Sequence, residues 1–316
     1  MHVIGPDRVR ELAPMPDLIA ALAGAFGGNI VAPPRQILPI PGGGGGRQLL
    51  TMPAFDPRGA GMVKLSTIFP DNAVLGAPTI QGAIVAFSDW GAPEALIDGA
   101  AVTRLRTGAT SALASRYLSL ADSSHLLLVG TGALAPAMAA AHTAVRPIER
   151  ISVWGRRPGQ VAAAVGEVAT WVSPAVEVLP CDDLEAAAGR AQIVCCATSA
   201  AEPVVLGRWL RPGVHLDLVG SFSPENREVD DQAVLRARIF VDTSDGALAE
   251  AGDLLQPLRR GIINPDRIEG ALADLVRGRV AGRRDDSEIT LFKSVGTAIA
   301  DLAACRLMLS GAAAGR

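Results

Sequence analysis

The stretch His125-Leu-Leu-Leu-Val-Gly130-Thr-Gly132-Ala-Leu-Ala135 decides the reading of this chain. A short apolar run meets a Gly-x-Gly and continues into small helix-forming residues, which predicts a buried strand, a tight turn and a helix start. Gly130 permits the turn, Gly132 lets a phosphate group approach the backbone, and Ala135 is small enough for helix and strand to pack closely. A pyrophosphate at that point meets the unsatisfied N–H groups and the positive end of the helix dipole. Thr131, Ala133 and Leu134 complete the expected cofactor-contacting turn. A purely structural turn could carry the same glycines, so the context has to decide.

Outward from that turn the context is the required one. From about Ala121 to Ser287, short apolar segments alternate with helical ones: Leu126–Val129, Ile151–Trp154, Val176–Leu179, Ile193–Ala197, His215–Val219 and Ile239–Asp242. Such alternation predicts an α/β fold with a doubly wound parallel sheet, a dinucleotide-binding domain over residues 121–288. Ligands of these sheets lie beyond the carboxyl ends of the strands, which adds Ala197, Thr198, Val219 and Gly220 to the expected cofactor contacts. The second strand selects the cofactor. It ends Trp154-Gly155-Arg156-Arg157, without the Asp or Glu that would hold a ribose 2′-hydroxyl. Two guanidinium groups there suit a 2′-phosphate, so NADPH is the expected cofactor, with NADH possible. Two solvated arginines at a strand end would read the same way.

Before this region lies a different pattern. Pro16–Phe26 is helix-like; Gln36–Ile40, Gln48–Met52 and Gly61–Phe69 are strand-like, with Gly42–Gly46 a flexible loop tip. Thr79–Ser88 and Glu94–Ile97 read as a hairpin, and an Ala-rich helix runs from about Ala101 to Leu120. The expectation is an antiparallel, meander-like sheet domain over residues 1–120. The segment Ile289–Leu309, beyond the charged patch Arg283–Glu288, reads as one last helix, assigned with residues 289–316 to the first domain.

Composition bounds the function. The chain has 316 residues, a net charge near −3 and an apolar half, enough for a large core and no electrostatic footprint for nucleic acid or anionic membrane. Four cysteines and four histidines lack metal-site spacing, so no metal is expected. Cysteine usage and the absence of an N-terminal apolar run suggest a reduced, cytoplasmic protein. Leu126–Ala141 is uncharged but too short and too interrupted to span a bilayer.

Polar residues in apolar elements mark a second site. Alternation puts Met62, Lys64 and Ser66 on one strand face, where Lys64 is either a ligand for a substrate carboxylate, a proton donor, or an edge lysine facing water. Thr103, Arg106, Thr107 and Thr110 share one helix face, from which Arg106 could clamp a carboxylate; a surface stripe is the alternative. Arg35, after Pro33-Pro34, is a third candidate cation.

With these residues assembled, the chain is identified as resembling the ornithine cyclodeaminase/mu-crystallin family. The matching runs are Met62-Val-Lys64-Leu, Arg106-Thr107-Gly-Ala-Thr-Ser-Ala-Leu-Ala, Val129-Gly-Thr-Gly132-Ala, Asp217-Leu-Val-Gly-Ser221, Pro224 with Arg227-Glu228-Val-Asp230, and Leu291-Phe-Lys293-Ser-Val-Gly296. The resemblance implies a homodimer, a sheet-rich substrate and dimerisation domain, and a Rossmann domain. It further implies that the C-terminal segment returns to the first domain. It assigns Lys64, Arg106 and Arg35 to a substrate carboxylate, and Lys293, Ser294 and Gly296 to the neighbourhood of the nicotinamide. Two departures refine it. Phe222 stands where ornithine cyclodeaminases carry a catalytic Asp, and Arg156 where they carry an acid that selects NAD. A phenyl ring exchanges no proton, and losing a general acid/base costs roughly 10²–10⁴-fold. The run from Gly220 to Asp230 instead resembles the branch that reduces cyclic ketimines, Δ1-pyrroline-2-carboxylate and Δ1-piperideine-2-carboxylate, to L-proline and L-pipecolate. There Phe222 would wall the ring methylenes. An NAD-dependent cyclodeaminase and a mu-crystallin-type ligand-binding protein are the competing expectations. Leu134 replaces the Gln usual in the glycine turn and leaves the backbone anion site intact.

Overall fold

The computed structural model describes residues 1–42 and 46–314. The chain divides into two compact units, one of residues 1–106 with 297–316, the other of residues 107–296. The expected loop tip Gly42–Gly46 lies, for its residues 43–45, outside the described residues.

The first unit is a six-stranded sheet with strands β1 (His2–Ile4), β2 (Gln36–Pro39), β3 (Gln48–Phe55), β4 (Gly61–Ile68), β5 (Ile80–Phe87) and β6 (Pro93–Asp98). Their spatial order is β1-β6-β5-β4-β3-β2. From β2 to β6 it is the expected antiparallel meander. Strand β1, only three residues long, adds in parallel to β6 and was not legible in the sequence. The helices of this unit are α1 (Pro6–Leu12), α2 (Met15–Gly27) and, at the far end of the chain, α11 (Ala298–Ala314). Helix α11 packs on α1, α2, β3 and β4.

Register explains which sheet face is the inner one. Ile4, Ile97, Ile84, Lys64 and Met52 are paired across five strands and all are buried. The adjacent row on the opposite face, Val3, Leu96, Val85, Val63 and Pro53, is half-buried or exposed. A strand places successive side chains on opposite faces, so Lys64 is the one charged group in an otherwise apolar inner row.

The second unit holds an eight-stranded, wholly parallel sheet of β7 (His125–Val129), β8 (Arg150–Trp154), β9 (Glu177–Pro180), β10 (Ile193–Cys196), β11 (His215–Leu218), β12 (Ala237–Val241), β13 (Ile268–Ala271) and β14 (Ile289–Lys293). The order is β13-β12-β14-β11-β10-β7-β8-β9. Helices α4 (Ala135–Thr143), α5 (Pro158–Ala169), α6 (Leu184–Arg190), α7 (Asp231–Arg236), α8 (Ser244–Glu250), α9 (Gly252–Arg259) and α10 (Leu272–Val276) lie between the strands, and two apolar clusters are built from helices and sheet. The chain moves outward from β7 to β9, then resumes on the other side of β7 at β10, so the order reverses between β7 and β10.

Two expectations are corrected. Ile289–Leu309 is not one helix: Ile289–Lys293 forms β14, set between β11 and β12, and the helix begins at Ala298. A short apolar run buried on both faces has no period-2 signature and reads equally well as the start of an apolar helix. The unit boundaries also differ from those expected at 120/121 and 288/289. The first falls inside helix α3 (Gly99–Leu118), at Arg106/Thr107, and the second after β14. A continuous helix carries no composition shift where one compact unit gives way to the next.

Candidate functional site

In the second unit a cavity of about 390 Å³ opens at the carboxyl ends of β7, β8 and β10, where the strand order reverses. That is where doubly wound sheets bind their ligands, and the volume is within the range of small-molecule pockets. Its walls include Gly130, Thr131 and Gly132 after β7, Arg156 and Arg157 after β8, and Ala197 and Thr198 after β10. Gly130 has φ +126°, and a Cβ there would lie 2.5 Å from the carbonyl oxygen of Ala197. Only glycine satisfies both constraints. A Cβ at Gly132 would meet nothing within 4 Å, so open space faces this backbone. Arg156 and Arg157 are exposed, and among the described residues neither forms an ion pair. Bare backbone at a helix start beside two unpaired guanidinium groups fits a phosphorylated dinucleotide.

The other expected cofactor residues are placed differently. Ala133 and Leu134 lead into α4 and are not among the cavity walls. Gly220 sits against the end of β10, its N–H donating to Glu228 Oε2 at 2.9 Å. Thr198 donates to Glu228 Oε1 from both its backbone N (2.7 Å) and its hydroxyl (3.0 Å). Glu228 therefore clamps the loops after β10 and β11 together. Burial pushes its carboxyl up to about 7, against the pull of Lys293. Lys293, expected near the nicotinamide, stands at the end of β14. Its fully buried Nζ lies 2.9 Å from Asp253 Oδ2 and 3.8 Å from Glu228 Oε2. Although burial lowers its ammonium, Asp253 and Glu228 more than offset this and raise it above the ordinary lysine value. Ser294 donates to Asp242 Oδ2 at 2.8 Å, and the Gly296 N–H donates to the same oxygen at 2.7 Å. These three residues hold the strand end rather than project from it. Val219 is buried, and Phe222, on the loop after β11, is 37% exposed.

The first unit gathers the candidate carboxylate ligands. Lys64 on β4 and Arg106 on α3 are both buried, so neither the edge-lysine nor the surface-stripe alternative holds. They converge on Asp301 of α11, which the sequence reading missed. Lys64 Nζ donates to Asp301 Oδ1 at 2.9 Å, and Arg106 Nε donates to the same oxygen at 3.2 Å. Lys64 also donates to the Thr103 hydroxyl. Burial lowers the Lys64 ammonium to about 8, with Asp301 opposing the fall and Arg106 and Arg35 adding to it. Asp301 is held below the ordinary carboxylate value because Lys64 and Arg106 overcome its own burial. Lys64, Arg106 and Arg35 thus all bear on Asp301, which gathers positive charge at this place in the sheet unit. Asp301 had a signal: a lone acid in the otherwise apolar run Ala298–Leu309 is as anomalous as a lysine in a buried strand.

A further cluster arises only from tertiary contact. His142, Cys195 and Asp217, fully buried, bring ligand-type atoms within 4.8 Å of one another, although no spacing in the sequence suggested it. Asp217 already accepts a bond from Ser111 Oγ at 2.8 Å and lies 3.1 Å from His142 Nε2. Burial and the neighbouring Asp217 drive the Cys195 thiol well above its ordinary value.

The chain is similar to several known proteins. The ornithine cyclodeaminase/mu-crystallin family model matches residues 6–315. A Δ1-pyrroline-2-carboxylate reductase of Paracoccus denitrificans is 43% identical over 241 residues, 76% of this chain and 75% of that protein. One of Colwellia psychrerythraea is 38% identical over 308 residues, 96% of this chain and 97% of that one. The solved Thermococcus litoralis Δ1-pyrroline-2-carboxylate reductase, in complex with NADH and L-proline, superposes with a TM-score of 0.94 at 31% identity, covering 100% of this chain and 98% of that one. The parallel sheet with its glycine turn, the antiparallel sheet with its buried lysine and the near-complete family match lead to one conclusion: this chain belongs to the ornithine cyclodeaminase/mu-crystallin family.

Proposed function

We propose that the protein is an NADPH-dependent reductase of cyclic ketimine 2-carboxylates, converting Δ1-pyrroline-2-carboxylate, Δ1-piperideine-2-carboxylate or both to L-proline and L-pipecolate. The observation that carries this reading is the convergence of the buried Lys64 ammonium and Arg106 guanidinium at Asp301, two charge-assisted donors of the kind that hold a carboxylate. The names of the relatives support the imine and the product: two are pyrroline-2-carboxylate reductases from bacteria, and the third was solved with L-proline.

Lys64 and Arg106, with Arg35 nearby, would hold the carboxylate and so fix the orientation of the C2=N bond, an advantage of proximity rather than of acid catalysis. When bound, the reduced nicotinamide supplies the hydride that adds to C2. For an imine bound protonated, the C=N π pair becomes the nitrogen lone pair and leaves a neutral amine, which takes up a proton from water on release. Phe222 exchanges no proton, and an imine that binds as the iminium requires none from it. The glycine turn and the helix start would carry the pyrophosphate, and Arg156 and Arg157 the 2′-phosphate. The relative solved with NADH makes this last assignment the one most in need of measurement.

We also assign the sheet unit to substrate binding and dimerisation and the parallel-sheet unit to the cofactor. The apolar row from Val3 to Pro53, exposed at Val3 and Leu96 and half-buried at Val85, Val63 and Pro53, supports a homodimer formed through that sheet face. Four free cysteines suit a reducing compartment, the cytoplasm. Among the described residues, no helix is long and apolar enough to cross a membrane.

The test is a substrate panel on purified protein. NADPH oxidation with either ring size supports the reductase. Ammonia release from ornithine with catalytic NAD would indicate the cyclodeaminase instead, and neither reaction would leave the ligand-binding protein.

A further inference from the structure

We propose that Asp301 is a positioning residue for the carboxylate site: through one oxygen it fixes the Lys64 ammonium against the Arg106 guanidinium and keeps that lysine charged. The inference rests on the reading that a ligand carboxylate binds at Lys64 and Arg106, and it adds what governs their strength.

The hydrogen bonds leave Lys64 little freedom. The Thr103 hydroxyl has a single proton, which it donates to the carbonyl oxygen of Gly99 at 2.7 Å. Thr103 can therefore only accept from Lys64, as Asp301 Oδ1 does. An ammonium has three donors. Two are directed by Thr103 and Asp301, and the third has no acceptor among the described residues, so its direction is set for an incoming oxygen. Asp301 is fully buried; its Oδ1 takes both cationic donors, and its Oδ2 has no hydrogen-bond partner.

The charges facing Lys64 are Asp301 from α11, Arg106 from α3 and Arg35 ahead of β2, while Cys305, one turn beyond Asp301, is kept a neutral thiol by burial. Without Asp301 the lysine would face two guanidinium groups in a dry site. An arginine does not surrender its proton, so Lys64 would. The burial that already lowers this lysine to about 8 would then act without its main opposing charge.

The experiment measures binding of pyrrole-2-carboxylate, whose carboxylate stays ionised throughout, to the NADP⁺-saturated protein over about pH 6 to 9. Wild-type affinity should hold at neutral pH and weaken above about pH 8 as Lys64 loses its proton. In Asp301→Asn the weakening should begin at least about one pH unit lower, giving roughly tenfold poorer binding near pH 8 with less than about threefold change near pH 6. Adding Lys64→Arg to Asp301→Asn should flatten the profile, because arginine stays protonated. Equal loss at every pH, or an unmoved midpoint, would leave Asp301 with a structural role only and overturn the inference. No wild-type binding at any pH would remove the carboxylate-site reading and the inference with it. Should Asp301→Asn fail to fold, the double variant Lys64→Met/Asp301→Asn decides: recovery of the fold supports the charge coupling, and continued failure overturns it.

Discussion

Lys64 shows how one residue joins stability to function. Its folded value of about 8 lies below the ordinary lysine value of 10.5, so between those limits the unfolded chain binds more protons than the folded one. Stability therefore rises with pH across that window, while affinity for a carboxylate falls. At neutral pH the buried ammonium costs on the order of 3 kcal/mol relative to a lysine in water. Lys64→Met, which removes the titrating group, should show a stability profile flat between about pH 8 and 10.5 where the wild type climbs, and should lose imine turnover. Thermal denaturation at several pH values, beside a reductase assay, checks both; a variant whose stability still climbs across that window would contradict this account. Arg156 makes a separate prediction. It is exposed and without an ion pair, so Arg156→Glu should leave the fold intact, raise KM for NADPH by tens-fold and change KM for NADH little. Equal effects on both cofactors would remove it from the 2′-phosphate.

At the scale of elements, buried carboxylates do the joining. Asp217 on β11 takes the Ser111 hydroxyl from α3 and lies beside His142 of α4, so one side chain ties two helices to the sheet. Removing one member of a buried polar pair leaves the others unpaired, which typically costs 3–5 kcal/mol. Asp217→Ala should lower Tm by roughly 10 °C, and Asp217→Asn, which keeps an acceptor for Ser111, by less. The turn after β7 is constrained by backbone rather than by charge. In Gly130→Ala the new methyl would collide with the Ala197 carbonyl at a φ that L-residues avoid. Cofactor affinity should fall with stability, because the two strands shaping the cavity must separate to admit it. Most elements were readable because their residues announce themselves: Leu126–Val129 as an apolar run against glycine, Thr79–Ile97 as a hairpin around Asp89-Trp90-Gly91. Strand β14 was not, since Ile289–Lys293 has neither alternation nor a turn before the next helix.

At the scale of the whole molecule the exposed face of the first sheet is the feature a monomer leaves unexplained. Val3 is 76% exposed and Leu96 36%, and they stand in register with Val85, Val63 and Pro53. A continuous apolar row across five strands is the kind of surface a second copy covers. If the proposed homodimer forms through this face, Leu96→Asp combined with Val63→Asp should shift it from dimer to monomer in light scattering after size exclusion. A dimer that persists would move the interface elsewhere.

Local rules were enough for the sequence to determine the parallel sheet, the glycine turn at Gly130–Gly132, the antiparallel meander and the candidate cations Lys64 and Arg106. Each depends on residues close together in the chain, where periodicity, turn chemistry and the oddity of a charge in an apolar element are visible. Tertiary structure alone decided who partners whom. Asp301 reaches Lys64 across 237 positions of chain, Lys293 pairs with Asp253 and Glu228, and Asp217 gathers Ser111 and His142. A buried charge must find an opposite charge or a hydrogen bond to remain buried, and which one it finds is settled by the packing of distant elements, which no local pattern records.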